Sequence, residues 1–155
     1  IVNNILFKTQ GQFEIGGTMF EKSSISDTNA IIQNEVVFQG KNSAAIYLDS
    51  IHQYFDIRNI EELELTNNTF LEMDFKSNID FNVGILIISN ESIEQKEELI
   101  RLYPTENWKK IYLDLSPLIN ASNNTLKYKI YFEGSYNNIY NKNSVYIDNL
   151  KLVYN

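Results

Sequence analysis

The chain contains no cysteine and only one histidine in its 155 residues. Disulfides within the chain are therefore excluded, and zinc fingers and sites with a cysteine or histidine nucleophile are nearly excluded. Basic residues are also few, because 13 lysines and arginines stand against 20 aspartates and glutamates, which gives a net charge of −7. Binding of nucleic acid is not expected, since phosphate recognition needs a basic surface.

Proline and glycine are scarce as well, at two and six residues, which argues against a linker or a low-complexity tract. We therefore predict a single domain over residues 1–155. No apolar run approaches the roughly 18 residues that a membrane helix needs, so no membrane span is predicted. The chain starts at Ile1 rather than Met, from which we expect that a leader segment was removed.

Aromatic residues make up 13% of the chain, and ten of them are tyrosines, a composition that favours strands. Residues 69–76 alternate cleanly, which places Leu71, Met73 and Phe75 on the core face. Residues 81–88 form a longer apolar run, typical of a strand covered on both faces. Residues 116–119 predict one helical turn, because serine is a good N-cap and proline a good first residue. Residues 90–98 lack an apolar stripe and predict a solvated loop or a frayed turn.

About nine or ten strands without amphipathic helices predict an all-β fold, an antiparallel sandwich or barrel. In the last strand, residues 144–154, Val145 and Ile147 share one face whereas Leu150 and Leu152 share the other. The apolar phase therefore changes at residues 148–149. A carboxylate at such a point indicates a bulge, a buried hydrogen-bond hub or a ligand for a hard cation.

Four ordered blocks of sequence resemble those of jelly-roll carbohydrate-binding modules. They are GQFEIG at residues 11–16, GKNSAAIYL at 40–48, WKKIYLDL at 108–115 and VYIDNL at 145–150. The same pattern is similar to galactose-binding-like domains of bacterial surface lipoproteins. The resemblance implies an antiparallel jelly-roll β-sandwich that is located outside the cell or on the bacterial surface and is compatible with membership of a larger surface complex.

The resemblance also implies a structural calcium ion that pins the two ends of the chain together. Carried over to this sequence, its ligands would be the carboxylates of Glu14 and Asp148 and the backbone carbonyl of Lys41. Calcium prefers six to eight such oxygen ligands. The alternative is that Glu14 and Asp148 are rim carboxylates that accept hydrogen bonds from backbone amides or pair with lysine or arginine.

Two segments are candidates for binding a sugar. The polar loop 134–143 carries Tyr136, Asn138 and Tyr140, and aromatic rings and amides suit sugar rings and hydroxyls. A second patch contains His52, Tyr54 and Arg58. The alternatives are a hairpin loop whose tyrosine rings cover the end of the sheet, and a histidine with a surface or capping role. Trp108 is expected in the core or at a sheet edge.

Catalysis is not expected. Glu72 and Asp74 lie at i and i+2, roughly 7 Å apart by strand geometry, a spacing compatible with inverting glycosidases. Exposed strand carboxylates are common, however, and we interpret these two as a solvated face. No sequence motif of an enzyme is present.

The predicted function is therefore that of a non-catalytic module of a secreted or surface-displayed bacterial protein that binds a polysaccharide or oligosaccharide. The alternative is a structural or protein-interaction domain of a surface lipoprotein without affinity for sugars.

Overall fold

The computed structural model describes residues 12–15, 18–22, 30–33, 35–36, 38, 43–66, 68–120 and 126–154. Eleven strands and one short helix lie in these ranges. In chain order they are β1 (Gln12–Ile15), β2 (Thr18–Lys22), β3 (Ala30–Gln33), β4 (Ser43–Leu48), β5 (Tyr54–Asn59), β6 (Thr69–Ser77), β7 (Phe81–Ile88), β8 (Glu94–Leu102), β9 (Lys109–Asp114), α1 (Ser116–Asn120), β10 (Lys127–Ser135) and β11 (Asn143–Tyr154).

The strands form two antiparallel sheets packed face to face. Sheet A has the order β1-β2-β5-β10-β7-β8, and sheet B has the order β3-β4-β11-β6-β9. Side chains that alternate along the strands of both sheets fill the space between them, as the period of two requires. Phe55, Ile57 and Phe132 of sheet A and Met73 and Ile147 of sheet B are fully buried there. The predicted all-β sandwich is confirmed.

Most of the predicted elements agree with the structure. Leu71, Met73 and Phe75 point into the core, and α1 begins at Ser116. The prediction of a loop over residues 90–98 is confirmed for residues 90–93 and is wrong from Glu94 onward, where β8 begins. This edge strand carries charged side chains on both faces along its first half, so it lacks the alternation that identifies a half-buried strand. None of the described helices is long and apolar enough to span a membrane.

The change of phase in the last strand is a β-bulge. The register between β11 and β6 shifts between Asp148 and Lys151, and Asn149 has a φ of 51°, in the left-handed region that asparagine tolerates better than most residues. The extra residue returns Leu150 to the core face, where Val145 and Ile147 also lie. Asp148, on the opposite face, is completely buried.

Asp148 is a hydrogen-bond hub in this bulge. Its Oδ1 accepts the backbone N–H of Asn149 at 2.8 Å, and its Oδ2 accepts the backbone N–H of Phe38 at 3.0 Å. The side chain thereby ties the segment before β4 to the last strand. Of the three roles that the sequence suggested, the bulge and the hub are observed. Calcium binding by Asp148 stays a prediction.

The interpretation of Glu72 and Asp74 as a solvated face is wrong. Asp74 lies opposite Asp148 in the register and is only 1% exposed. Its Oδ2 accepts a hydrogen bond from Asn149 Nδ2 at 3.1 Å. Glu72 is paired with Lys110 Nζ at 2.7 Å. The bulge covers Asp74, because it turns the Asn149 side chain across the neighbouring strand.

Replacing the hub should destabilise the fold. In Asp148→Ala the N–H groups of Phe38 and Asn149 lose their buried acceptor, which should cost about 3 kcal/mol of unfolding free energy. Urea unfolding followed by far-UV circular dichroism measures this. Asp49→Ala is the matched control, because Asp49 also accepts two backbone N–H groups, from Ile51 and His52, but in an exposed turn. Equal losses in both variants would contradict the buried hub.

Candidate functional site

A cleft of about 730 Å³ opens on the outer face of sheet A, away from the core. Its lining comes from three parts of the sheet that lie far apart in sequence. The start of β5 supplies Gln53 and Tyr54, the β7–β8 pair supplies Asp80, Asn82 and Arg101, and the end of β10 with the following loop supplies residues 133–138. The lining is mainly polar, with two tyrosines in it.

The register of the sheet brings these side chains together. Glu133 of β10 lies between Asp56 of β5 and Asn82 of β7, and Asn82 lies opposite Arg101 of β8. Residues that oppose each other in antiparallel strands present their side chains on the same face. One polar row therefore crosses four strands at the edge of the cleft.

A buried carboxylate anchors this row. Asp56 is completely buried, and its Oδ2 pairs with Lys96 Nζ at 2.9 Å and with Arg58 Nη2 at 3.1 Å. Lys96 Nζ also pairs with Glu133 at 2.8 Å, and Arg58 Nη1 pairs with Glu94 at 2.8 Å. A buried charge is tolerated only when it is paired and hydrogen-bonded. The two cations meet that condition at Oδ2, whereas Oδ1 of Asp56 is buried without a partner among the described residues. They also extend the network to Glu133 and Glu94.

The position of Lys96 depends on Tyr131 and Gly84. Tyr131 is only 1% exposed, and its ring lies across Gly84, where an added Cβ atom would be 2.4 Å from ring atoms. Lys96 Nζ passes over the same ring at 4.9 Å from its centroid, within the range of a cation–π contact. The absence of a side chain at residue 84 therefore makes room for the ring on which Lys96 rests.

The network fixes the protonation states near the cleft. Burial alone would raise the pKa of Glu133, but hydrogen bonds from Lys96 and Tyr54 outweigh it and hold the pKa below its usual value. Burial alone would lower the pKa of Lys96, yet its pairing with Glu133 and Asp56 raises it. Burial, and then the hydrogen bond to Glu133, raise the pKa of Tyr54. At neutral pH Glu133 is a carboxylate, Lys96 is an ammonium and Tyr54 keeps its proton.

Tyr54 donates that proton to Glu133 Oε2 at 2.8 Å. In contrast, Asn82 Oδ1 is buried and has no hydrogen-bond partner in the described part of the chain. An unsatisfied buried acceptor in the wall of a cleft calls for a donor from outside the protein, such as water or a hydroxyl group. Asn82 is therefore the lining residue whose side-chain acceptor lacks a partner among the described residues.

Three of the five predicted sugar-site residues line the cleft, namely Tyr54, Tyr136 and Asn138. Tyr136 also packs against the core and donates its O–H to the carbonyl of Tyr140 at 2.8 Å. Tyr140 and His52 lie outside the lining. His52 is exposed, with Nδ1 3.3 Å from the carboxylate of Asp49. The structure thus joins the two predicted patches in part, and sugar binding by these residues stays a prediction.

Sequence reasoning missed Gln53, Asp80, Asn82, Arg101 and Glu133. Their proximity follows from the strand register, which a single sequence does not reveal. The sequence does contain one indication of the ion network: Asp56 lies between the apolar residues Phe55 and Ile57 in a short strand. A charged residue in such a place predicts a paired carboxylate on the outer face.

The predicted calcium ligands fall mostly outside the described residues. Lys41 and the side chain of Glu14 are not among them, whereas Asp148 is. The backbones of β1 and β11 approach each other, with Cα atoms within 8 Å. Among the described side chains, no group of three or more acidic, histidine or cysteine residues is arranged to hold a metal.

Trp108 lies on the outer face of sheet B, half-buried between Phe38 and Tyr146. Its ring centroid is 5.8 Å from that of Phe38 and 6.5 Å from that of Tyr146, and the rings are tilted by 54° and 51°. Tilted rings that pack on one another do not form a flat platform for a sugar. The expectation of a core or sheet-edge role for Trp108 agrees with this position.

Comparison with solved structures gives several neighbours of the same architecture. The family 11 carbohydrate-binding module of Clostridium thermocellum, in complex with a β-1,3-1,4-mixed-linked tetrasaccharide, has a TM-score of 0.60 and 14% identity over 99% of this chain and 97% of its own. TmCBM61, in complex with β-1,4-galactotriose, has a TM-score of 0.52 and 13% identity over 88% and 87%.

The chain has the β-sandwich fold of carbohydrate-binding modules. A further neighbour is the glycoside hydrolase domain of Endo-D from Streptococcus pneumoniae R6, with a TM-score of 0.62 and 16% identity over 99% of this chain but only 28% of that one. Neither a protein-family model nor a curated protein matches this sequence. At these identities the likeness establishes the fold alone.

Removing the Glu133 charge should reveal the network as a pH-dependent stabilisation. Because the pKa of Glu133 is lower in the folded chain than its ordinary value of 4.5, its contribution is present above about pH 4.5 and is lost as the pH falls through the folded-state value. We expect Glu133→Gln to be about 1 kcal/mol less stable at pH 7, a figure reduced for solvent screening.

The measurement is urea unfolding of both proteins at several pH values between 3 and 7. The difference in unfolding free energy between the wild type and Glu133→Gln should narrow below about pH 4.5. Glu61→Gln, which removes an exposed carboxylate, controls for the change in net charge. A gap that does not vary with pH would show that Glu133 is not stabilised as a carboxylate.

Proposed function

We propose that the chain is a non-catalytic carbohydrate-binding module and that its ligand occupies the cleft on the outer face of sheet A. The observation that carries the proposal is a polar cleft of about 730 Å³, whose wall combines two tyrosines with several side-chain amides, among them the unsatisfied amide of Asn82. Clefts of roughly 300–1,000 Å³ are the size that small ligands occupy. A sugar hydroxyl is a donor of the required kind.

The lining suits a glycan in two further ways. The tyrosines offer aromatic surface to the C–H faces of a sugar, and the amides of residues 53, 82, 137 and 138 offer both donors and acceptors to hydroxyls. The solved structures of similar fold include two in complex with short glycans, a galactotriose and a mixed-linked tetrasaccharide. These two ligands are the natural first probes.

The charges in the cleft favour binding without catalysis. A glycosidase needs a protonated carboxylic acid beside the bond that is cleaved, and such an acid has a raised pKa. Glu133 has a lowered pKa and is held by Lys96 and Tyr54. Asp80 is paired with Arg101. Both carboxylates of the lining thus already accept hydrogen bonds from neighbouring side chains.

The proposal includes a secreted or surface-displayed location, as is usual for modules of this fold. It also includes a structural calcium ion bound by Asp148, Glu14 and the carbonyl of Lys41. The donor set fits, because carboxylate and carbonyl oxygens are the ligands that calcium prefers. The approach of β1 to β11 supports it, since the ion would join these two strands.

A protein-interaction domain is the second candidate. It is favoured by the outer face of sheet B, where Tyr112 is 52% exposed and stacks on Phe70 at a centroid distance of 4.7 Å. Aromatic side chains are enriched at protein interfaces. This function would leave the protein without affinity for any glycan.

Affinity electrophoresis in gels that contain mixed-linked β-glucan or β-1,4-galactan tests the first function. We expect the wild type to be retarded, and Asn82→Ala and Asn138→Ala to bind about three- to tenfold more weakly, the effect of one lost hydrogen bond. His52→Ala and Tyr140→Ala are matched controls outside the cleft and should migrate as the wild type does. Thermal melting confirms that each variant is folded.

Two results would count against the cleft. If the variants at residues 52 and 140 weaken binding as much as Asn82→Ala does, the ligand does not lie in the cleft alone. If a broad panel of neutral polysaccharides fails to retard the wild type, the protein-interaction domain becomes the better reading.

Chelation tests the calcium ion separately. A bound ion stabilises the folded state by mass action, so EDTA should lower the melting temperature of the wild type. The melting temperature of Asp148→Asn should be lower than that of the wild type and should not respond to EDTA. A wild type whose melting temperature is unchanged by EDTA and restored calcium would leave Asp148 with its hydrogen-bonding role alone.

A further inference from the structure

Arg101 and Asp80 form an ion pair in the wall of the cleft. Arg101 Nε donates to Asp80 Oδ2 at 2.8 Å, and Nη2 donates to the same oxygen. Arg101 lies on β8 opposite Asn82, and Asp80 directly precedes β7, so the pair lies beside the unsatisfied Asn82 acceptor. The side chains are 51% and 30% exposed and can therefore meet a ligand.

Arg101 is the one cation among the described residues that line the cleft, whereas Asp80 and Glu133 supply two carboxylates. Lys96, at the margin, is already shared between Glu133 and Asp56. A ligand with a carboxylate would meet a guanidinium whose charge is balanced and a second carboxylate of its own sign. Like charges brought together cost binding free energy.

Without Asp80, Arg101 would be well suited to bind an acidic sugar. A guanidinium presents a planar fork of N–H donors that binds a carboxylate through two hydrogen bonds, and it stays charged at all relevant pH values. Two of these donors, Nε and Nη2 of Arg101, are already bonded to Asp80. Asp80 makes the largest contribution to the raised pKa of Arg101, and Tyr103 and Glu98 contribute less.

We propose that Asp80 is a specificity-determining residue, which occupies Arg101 and makes the cleft select uncharged glycans over glycans that contain uronic acids. The inference rests on the proposed function, because it assigns a ligand class to the same cleft. Its mechanism is exclusion, because the uncharged amides of the lining favour neutral sugars, while the Asp80–Arg101 pair withholds the guanidinium that would bind a carboxylate.

The decisive experiment is a gain of function. In Asp80→Asn the side chain keeps its size but loses its charge, which releases Arg101 to an incoming carboxylate. We expect the variant to bind polygalacturonate at least about tenfold more tightly than the wild type, the effect of one charge-assisted hydrogen-bonded contact. The gain should fade between 0.05 and 0.5 M NaCl, because screening weakens exposed ion pairs. Binding of mixed-linked β-glucan and β-1,4-galactan by the same variant is measured alongside, so that the change is expressed as the ratio of acidic to neutral binding.

Two further variants separate this mechanism from a general effect of charge. Asp114→Asn changes the net charge equally, at an exposed position on sheet B, and should gain nothing. The double variant Asp80→Asn/Arg101→Gln should lose the affinity that Asp80→Asn gained. If Asp80→Asn does not fold, as judged by its melting curve, Asp80→Ser serves the same purpose.

Each outcome decides the proposal. A gain confined to the Asp80 variants and dependent on Arg101 supports it. It is overturned if the wild type binds polygalacturonate as tightly as the neutral glycans, if the Asp80 variants bind neutral glycans but gain no acidic one, or if Asp114→Asn gains as much. If neither the wild type nor any variant binds any glycan, the proposed function itself fails, and the assignment of Asp80 falls with it.

Discussion

The buried carboxylate of Asp56 is the constraint on which the outer face of sheet A depends. A completely buried charge must be paired, and the two cations that reach it, Arg58 and Lys96, come from its own strand and from the far edge of the sheet. Lys96 then holds Glu133, which in turn holds Tyr54. Glu133 and Tyr54, which line the cleft, are therefore positioned by an ion network on the strands of sheet A.

Sheet B contains a different buried polar feature, the β-bulge in β11. The bulge at Asp148 and Asn149 lets one long strand contribute side chains to the core from both of its phases. Its cost is a buried carboxylate, which accepts backbone N–H groups from the bulge and from Phe38. Sheet A thus presents a cleft, whereas sheet B joins the last strand to the segment before β4. The cleft and the bulge that joins the chain segments thus lie on opposite faces of the sandwich.

Much of the fold could be predicted from local pattern. The alternation in β6 and the change of phase in β11 are visible in the sequence because a strand has a period of two. The start of β8 was not visible, since the first half of this edge strand has charged residues on both faces. The cleft was predicted only in part, because Asn82 and Arg101 meet through a register that includes an irregularity between Val83 and Gly84. Cross-strand register and ion pairing are tertiary properties, and no local spacing encodes them.

The central claim is that the cleft of sheet A, and not the aromatic face of sheet B, receives the glycan. Amide chemical shifts recorded during a titration with a neutral oligosaccharide test it most directly, with galactotriose or a mixed-linked tetrasaccharide as the probe. We expect the largest changes at Asn82, Arg101 and residues 133–138, and we expect them to saturate together. Changes centred on Trp108 and Tyr112, or no changes with either sugar, would contradict it.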